Sequence, residues 1–542
     1  MAAPPSASGR FAWLVAGLIV AFLTQAALES HLKSPTSDEP LDIASGLSYV
    51  ATGSFRANPE HPPLIKELSG LSLLAGGVRW PHNALTDSLR HDARTIYSPQ
   101  PETEIGNRLI ADNGPDRTLF WARLPMLLVA GMLGVLIYAW GRALVGPLAA
   151  ACAVFVFVTD PTIIAHSYLV TNDVGLAAFL MLFLFTLWRY AANPTTARLI
   201  ACGAALGAFL CTKFSAVLLL PAVPLLLLAA RWHAPAEAEA GRTASTIRKT
   251  LALAVIAAIA VQATYFFSPD LLAYVHGAGM IRGRYSADAM TYLDGTLEHR
   301  FPHYFAAAFL LKEPLASIVL AGAGLVLLVR SRAIQWPAKL FLILPPAIMF
   351  AGPTLLADQL GIRYIMPVLP FAHLFAGFAL AHMLSGAMRP RVVGTVLCAW
   401  LIVADAGIAP DHLSYFNEGA CLLTKPKWLG VDGGTRCGIY WLDDSNVDWG
   451  QSLRQLKTWT DRTGEHRPFR YASVYGFPPG AYRLQSTPVA ETELTGTPMR
   501  ALYVISAAMV ARLNGIDLAS HWTDSVPPIA VVGHALYVYE AR

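Results

Sequence analysis

Long apolar blocks separated by short polar segments dominate the chain up to residue 408. Eleven of them approach or exceed the roughly 18–20 apolar residues needed to cross about 30 Å of hydrocarbon. They lie at 11–28, 119–139, 147–165, 174–191, 199–214, 216–232, 250–267, 314–329, 339–356, 364–384 and 392–408. The pattern predicts a polytopic α-helical membrane protein with about 11 transmembrane helices, in which Lys213 interrupts the pair at 199–232.

Basic residues predict the orientation of these spans. Most loop arginines and lysines fall on one side, whereas the short loops near 166–173 and 357–363 carry only Arg363. Because cytoplasmic loops are enriched in Lys and Arg, we expect a cytoplasmic N-terminus and three external regions, at 29–118, 268–313 and 409–542. The first block also resembles a signal peptide, but it is long enough to favour a retained span.

Composition agrees with a membrane protein. The 542 residues are 55% hydrophobic and 14% charged, against about 25% charged in ordinary soluble domains. The formal charge of +4 is small and spread between the spans, which argues against a nucleic-acid partner.

The residues after 408 have a different pattern. An amphipathic helix is predicted within 441–462, and strands are predicted at 469–475, 501–505 and 535–539. The chain therefore divides into a transmembrane module, 1–408, and a small C-terminal extracytoplasmic α/β domain, 409–542. Cys421 and Cys437 lie in this domain, where they form either a disulfide or two free buried thiols.

Two adjacent acids, Asp38 and Glu39, follow the first span by about ten residues. A helix is predicted from Asp38 to Thr52, with Pro40 in its first turn and Gly53 after its end, and a second helix begins at Pro62-Pro63. The acids could simply complement the helix dipole. Alternatively, Asp38 is a general base that deprotonates a hydroxyl, while Glu39 orients it or binds the acceptor.

Cations near the same membrane face could stabilise a departing phosphate. The candidates are Lys66, Arg363, Lys312, Lys213 and the pair Arg282/Arg284. Anchoring at the membrane surface is the alternative for Arg363 and Lys312, because long basic side chains often extend to the interface. Tyr364 follows Arg363 directly and is a candidate substrate contact.

The roles of three further residues are considered next. Asp173 begins a span and is predicted to cap a helix, and Asp160, within a block, either has a function or marks a span end. His61 could ligate a metal or contact the acceptor, but no HExxH, CxxC, Asp-x-Asp or Walker motif occurs. We therefore predict no metal site, no cofactor and no nucleotide-sugar donor. The polar segment 443–451 either binds a saccharide or, as we expect, caps the following helix.

These motifs resemble the C-type membrane glycosyltransferases, particularly bacterial relatives of the protein O-mannosyltransferases and of the lipid A aminoarabinose transferase (glycosyltransferase family 39). The resemblance covers residues 1 to about 405 and rests on Asp38-Glu39, on His61-Pro62-Pro63-Leu64-Ile65-Lys66, and on the segments 171–173 and 210–215. It implies a C-type glycosyltransferase fold in a bacterial cytoplasmic membrane. It also implies a polyprenyl-phosphate-linked sugar donor, a lipid, glycan or protein acceptor, and an inverting displacement with Asp38 as base and no obligatory metal.

Within these segments, Asp173 is a candidate acceptor or substrate contact and Lys213 is a candidate ligand of the donor phosphate. The C-terminal domain departs from the family pattern. Two other classes remain open. A transporter or flippase of a lipid-linked sugar would show paired broken helices in two related halves, a symmetry this sequence lacks. A non-catalytic assembly protein would act through its C-terminal domain.

Overall fold

The computed structural model describes residues 7–55, 57–80, 99–230, 242–281, 290–515 and 521–541, and it is mostly helical. Before residue 409 the α-helices are α1 (Ala7–Leu32), α2 (Glu39–Thr52), α3 (Leu64–Ala75), α4 (Pro99–Asn113), α5 (Pro115–Leu144), α6 (Pro147–Val158), α7 (Pro161–His166), α8 (Asn172–Ala192), α9 (Thr196–Leu210), α10 (Ala222–Ala229), α11 (Arg242–Thr264), α12 (Ala273–Ile281), α13 (Tyr304–Lys312), α14 (Leu315–Arg330), α15 (Trp336–Leu356), α16 (Leu369–Ser385) and α17 (Met388–Ile408). Later helices are α18 (Gly419–Leu422), α19 (Leu453–Thr463), α20 (Glu491–Thr495), α21 (Ala507–Gly515) and α22 (Trp522–Ser525).

All eleven predicted spans overlap apolar helical segments, but not all are single long helices. Within the described residues, seven helices are long and apolar enough to cross a membrane, or eight if α13 and α14, which meet at 114°, form one broken span. The remaining blocks are short because polar residues break them. A new helix starts after Asp160, and Lys213 separates α9 from the 3₁₀ helix Phe214–Leu219. The predicted polytopic helical class is confirmed.

The first predicted external loop folds onto the membrane module through α2, α3 and α4. Pro40 lies in the first turn of α2, and Gly53 ends the helix in a left-handed conformation (φ 69°), with its N–H donating to the Tyr49 carbonyl. Ile43, Leu47 and Leu73 are buried between these helices. The two predicted helices are thus confirmed, and α2 begins directly after Asp38.

Within the residues that the structure describes, two sheets lie outside the spans. A hairpin joins β1 (Thr291–Leu293) to β2 (Thr296–Glu298), and a five-stranded mixed sheet has the order β4-β3-β5-β7-β6. Its strands are β3 (Phe469–Ala472), β4 (Ser486–Pro488), β5 (Ala501–Ser506), β6 (Ala530–Val532) and β7 (Leu536–Ala541). β3 pairs in parallel with β4 and β5, whereas β7 is antiparallel to β5 and β6. The predicted strands correspond to β3, β5 and β7; the three-residue strands β4 and β6 were too short to predict.

Both faces of this sheet are buried, as the alternation along β5 demonstrates. Leu502 and Val504 face the apolar cluster that contains α2, α3 and α4. Tyr503 and Ile505 face a second cluster, which contains the β1–β2 hairpin and α13. Since successive side chains of a strand point to opposite faces, the sheet is enclosed by residues from the two earlier loops. We call the side of the membrane module that carries this sheet the sheet face.

One covalent bond links residues after 408 to each other, and an ion-pair network links this part of the chain to the first span. The structure contains the Cys421–Cys437 disulfide. Asp411 accepts from the buried Lys33 ammonium at the end of α1 (2.5 Å) and from the imidazole of His534 (2.9 Å). The second nitrogen of His534 lies 3.4 Å from a carboxylate oxygen of Asp432.

The His534 network predicts a pH dependence of stability. Burial lowers the pKa of His534, but hydrogen bonds and charges from Asp411 and Asp432 outweigh burial and raise it from 6.5 to about 9. Because the folded-state pKa is raised, the stabilisation is complete below pH 6.5 and is lost as the pH rises through about 9. We expect the unfolding midpoint of the purified protein to fall across this interval, and less so in His534→Asn.

Asparagine suits this position because His534 has φ 54°, which Asn tolerates. His466→Asn, at an exposed position, is the matched control and should keep the wild-type pH profile. Identical profiles for His534→Asn and wild type would disprove this role of the imidazolium.

Candidate active site

Asp38 occupies the N-cap position of α2 but does not cap it. No backbone N–H of the helix donates to its side chain, which points instead toward Arg363. Oδ2 of Asp38 accepts from Nη1 of Arg363 at 2.9 Å, and the Asp38 side chain is 43% exposed. The carboxylate is thus accessible and paired with a cation 325 residues away in sequence.

Arg363 is held from several sides although its side chain is only 10% exposed. Its guanidinium lies over the ring of Trp449, 4.2 Å from the ring centre, and its Nε donates to the Leu360 carbonyl. Nη1 also lies 4.0 Å from a carboxylate oxygen of Asp173. A guanidinium has five N–H donors, so these contacts leave it able to bind a further anion.

Lys213 adds a second cation beside Arg363. Its Nζ donates to Asp173 at 2.8 Å and lies 4.3 Å from the centre of the Tyr364 ring. The predicted capping role of Asp173 is wrong: Thr171 is the N-cap of α8, and the Asp173 carboxylate binds Lys213. Asp160, by contrast, caps a different helix, α7. Its Oδ1 accepts hydrogen bonds from the amides of Thr162 and Ile163 in the first turn of that helix.

Lys66 lies on α3, where its ammonium is buried. Nζ donates to the carbonyls of Asn58 (2.7 Å) and His61 (3.3 Å), and it is 3.7 Å from Oδ1 of Asp42. Burial raises the pKa of Asp42 to about 7, although the charge of Lys66 opposes the shift. The lysine therefore fixes the loop that ends at His61.

His61 is neutral at neutral pH. Burial, followed by the charges of Lys213 and Lys66, holds the pKa of its imidazole well below the usual value. Its Nδ1 is buried and has no hydrogen-bond partner among the described residues. A neutral imidazole with an unused nitrogen can bind a hydroxyl group of a substrate.

Glu39 differs sharply from its neighbour Asp38. Its carboxylate is fully buried and forms a two-pronged ion pair with Arg123 on α5, at 2.8 and 2.6 Å. The same oxygens accept from the amides of Thr36 and Val170. With both oxygens occupied, Glu39 positions the start of α2 rather than facing a substrate.

The Glu39–Arg123 pair predicts a large loss of stability in Glu39→Gln. Removing one partner leaves an uncompensated buried charge on Arg123, which costs about 3–5 kcal/mol. The purified variant should unfold at a lower temperature in detergent. Glu104→Gln is the matched control, because Glu104 pairs with Arg108 at the surface, where an ion pair contributes about 0.2–1 kcal/mol. Equal midpoints for the two variants would contradict this role.

Lys312 is not brought to this cluster. The Lys312 ammonium is buried and donates to the carbonyls of Leu413 (2.8 Å) and Asn446 (2.6 Å), so it neither anchors at the surface nor faces Arg363. It joins α13 to the residues after 408. Arg282 and Arg284 lie outside the described residues.

The segment 443–451 supplies one wall of the cluster, so the predicted capping role is wrong. Ser452 is the N-cap of α19, and none of the segment's side chains caps the helix. Asn446 accepts from the Ile362 amide (3.0 Å), and Ser445 donates to the Leu360 carbonyl (2.7 Å). Gly361 permits this approach: it has φ 108°, and a Cβ there would lie 2.3 Å from Ser445 Oγ.

Sequence reasoning missed three residues of the site: Arg123, Trp449 and Asp444. The sequence does contain a signal for Arg123, because an arginine within an apolar block needs a charged or polar partner and is a candidate functional residue. Trp449 and Asp444 lie in the segment read as a cap. Asp444 has φ 52°, and burial raises the pKa of its carboxyl while the charge of Arg363 lowers it. Uncommon backbone conformations such as this one cluster at functional sites.

The arrangement can perform one kind of chemistry well. An accessible carboxylate, Asp38, lies beside two fixed cations, Arg363 and Lys213, at the sheet-face ends of several spans. A carboxylate can accept a proton from a hydroxyl, while the cations stabilise an anionic leaving group.

A protein-family model matches part of the chain. Residues 115–265 match the family model described as dolichyl-phosphate-mannose-protein mannosyltransferase. This segment contains Asp173 and Lys213 but not Asp38, His61 or Arg363. The resemblance to the protein O-mannosyltransferases is confirmed by this match. No curated protein sequence matches the chain.

Several solved structures are similar overall. ArnT from Cupriavidus metallidurans bound to undecaprenyl phosphate aligns over 99% of both chains, with 14% identity and a TM-score of 0.47. The Archaeoglobus fulgidus oligosaccharyltransferase tethered with an acceptor peptide aligns over 73% of this chain and 58% of its own, with 10% identity and a TM-score of 0.44. The S. cerevisiae protein O-mannosyltransferase Pmt1–Pmt2 complex aligns over 49% and 35%, with 18% identity and a TM-score of 0.35.

Proposed function

We propose that this chain is an integral membrane glycosyltransferase that moves a hexosyl or pentosyl group from a polyprenyl-phosphate donor to an acceptor hydroxyl. The observation that carries the proposal is the accessible Asp38 carboxylate, 2.9 Å from the fixed guanidinium of Arg363 at the end of a span. The family match over residues 115–265 supports the same reaction class.

The reaction is a direct displacement. Asp38 accepts the proton of the acceptor hydroxyl, and the acceptor oxygen forms a bond to the anomeric carbon of the sugar. The bond from that carbon to the phosphate oxygen breaks, and its electron pair leaves with the polyprenyl phosphate. Attack opposite the leaving group inverts the anomeric centre.

Arg363 and Lys213 bind the donor phosphate and stabilise the charge that develops on it. Arg363 is already fixed against Trp449 and the Leu360 carbonyl, so little reorganisation is needed as charge develops. A phosphate that competes for Arg363 also frees the Asp38 carboxylate for the acceptor.

The remaining predicted residues have supporting roles. Tyr364 and Asp173 hold Lys213 from two sides, and neutral His61 binds a hydroxyl of the sugar or the acceptor. Lys66 fixes the His61 loop, whereas Glu39 and Lys312 position the elements that surround the site.

We place the reaction at the outer face of a bacterial cytoplasmic membrane. The N-terminus then lies in the cytoplasm, and a periplasmic domain, 409–542, follows the transmembrane module, 1–408. The distribution of loop arginines and lysines supports this orientation. The acceptor is a lipid, a glycan or a protein.

The test is transfer of a labelled sugar. Membranes containing the full chain are incubated with radiolabelled polyprenyl-phosphate sugars, and the products are separated into lipid, glycan and protein fractions. We expect one donor to label one fraction, and membranes without the chain to give no labelling. A flippase would move the donor across the membrane intact, so transport without cleavage of any donor would disprove the proposal.

A further inference from the structure

Contrary to the sequence prediction of no metal site, we propose that Asp160, Glu313 and His373 form a binding site for one divalent transition-metal ion, of the zinc class, inside the membrane module. One ligand atom of each residue lies within 4.8 Å of the other two, and all three residues are buried. This cluster is separate from the Asp38 site, and the inference does not depend on which sugar is transferred.

Three different elements supply the ligands. Asp160 is the N-cap of α7, Glu313 lies at the bend between α13 and α14, and His373 lies in α16. Nε2 of His373 is 2.6 Å from Oδ2 of Asp160. The residues therefore converge in space although up to 213 positions separate them in sequence.

The cluster has unused ligand capacity. Oε1 of Glu313 and Oγ1 of Thr162 are buried and have no hydrogen-bond partner among the described residues. Thr162 adjoins the cluster, because its amide donates to Asp160 at 2.8 Å. Unpaired polar atoms are costly in an apolar interior, so two of them beside the carboxylates indicate a ligand that bonds to them.

Charge argues that this ligand is a cation. Two carboxylates that share one enclosed site repel each other when both are ionised, so the ionised pair needs a compensating positive charge. A divalent ion with neutral His373 makes the site neutral overall. Two carboxylate oxygens and one imidazole nitrogen suit zinc and neighbouring transition metals, whereas magnesium and calcium prefer oxygen ligands alone.

The site lies directly behind the candidate active site. α7, capped by Asp160, carries His166, whose ring is 6.2 Å from that of Trp449. Lys312, beside Glu313, donates to the Asn446 carbonyl of the segment 443–451. A metal that joins α7, α16 and the α13–α14 bend would therefore fix the segment 443–451, whose Trp449 packs against Arg363. Its role would be structural.

A second buried cluster of histidine and carboxylates provides the comparison. His412 is bonded through Nδ1 to Glu29 (2.5 Å) and through Nε2 to Asp405 (2.8 Å), so both of its nitrogens are occupied. This cluster needs no further ligand. Glu29→Gln is therefore the matched control for Glu313→Gln.

The experiment measures the metal content of the full chain after purification in detergent. The affinity tag contains no histidine, and the buffers contain no chelator. We expect about one equivalent of a divalent transition metal in wild type and in Glu29→Gln, and a loss to background in Glu313→Gln and His373→Gln. Chelation should lower the unfolding midpoint of wild type, and added zinc should restore it.

If the variants fail to fold, metal content and the chelation response of wild type alone decide the question. A wild-type protein without divalent metal, whose midpoint is unchanged by zinc, manganese, iron or cobalt, would overturn the inference. Metal that remains in both Glu313→Gln and His373→Gln would be adventitious and would overturn it equally.

Discussion

Asp38→Asn is expected to lower the rate of sugar transfer by about 10²–10⁴-fold, the usual contribution of a positioned general base. Asparagine preserves the size of the side chain and can still contact Arg363, but it cannot accept a proton. Donor affinity should therefore change little, because the cations that bind the phosphate remain. Turnover with the labelled donor, and equilibrium binding of polyprenyl phosphate to the purified variant, measure the two quantities separately.

Asp116→Asn is the matched control. Asp116 also pairs with an arginine, Arg454, but is 59% exposed and lies away from the Asp38–Arg363 pair. It should retain wild-type turnover. If Asp38→Asn keeps more than about one tenth of wild-type turnover, a general-base role for Asp38 is wrong.

Arg363→Lys is expected to reduce turnover by about 10²–10³-fold, the usual effect of removing one preorganised donor from a developing charge. Lysine keeps the positive charge, so the buried carboxylate of Asp173 stays compensated and the fold is preserved. It loses the planar fork and the stacking on Trp449, which fix the guanidinium. Unlike Asp38→Asn, this variant should also bind polyprenyl phosphate more weakly.

Arg108→Lys controls for a generic effect of the substitution, since Arg108 is half-exposed and pairs with Glu104 at the surface. It should match wild type in binding and turnover. Unchanged affinity for polyprenyl phosphate in Arg363→Lys would contradict the assignment of Arg363 to the donor.

Features set by neighbouring residues could be predicted from the sequence. Helix α2 is one example, because Pro40 and Gly53 mark its ends within fourteen residues of each other. The spans are another, because their apolar composition is a local property. Strands β3, β5 and β7 have strong β-branched or aromatic patterns, whereas β4 and β6 have only three residues each.

Partners distant in sequence could not be predicted. Nothing near Asp38 indicates that its carboxylate binds Arg363 rather than the amides of α2, and nothing near Glu39 names Arg123. Both acids fit a helix start equally well in sequence, yet one is accessible and the other is fully buried. The tertiary packing of α5 and the 3₁₀ helix Ile362–Val368 makes that difference.

The same limit explains the misplaced caps. Asp160 precedes a helix and Asp173 lies in the first turn of one, and a local rule cannot tell that Lys213 binds the carboxylate of Asp173. The capping role predicted for the segment 443–451 is wrong for the same reason, because its partners Leu360 and Ile362 lie about 85 residues earlier.

A single-turnover experiment with a doubly labelled donor, one isotope in the sugar and another in the phosphate, tests the central claim most directly. The purified chain is loaded with the lipid-linked sugar found to label membranes and is then mixed with the acceptor fraction. We predict that the two labels separate in wild type, with the sugar on the acceptor and the phosphate on the lipid. In Asp38→Asn they should stay together on bound donor. Separation at the wild-type rate in Asp38→Asn, or none in wild type, would contradict the account.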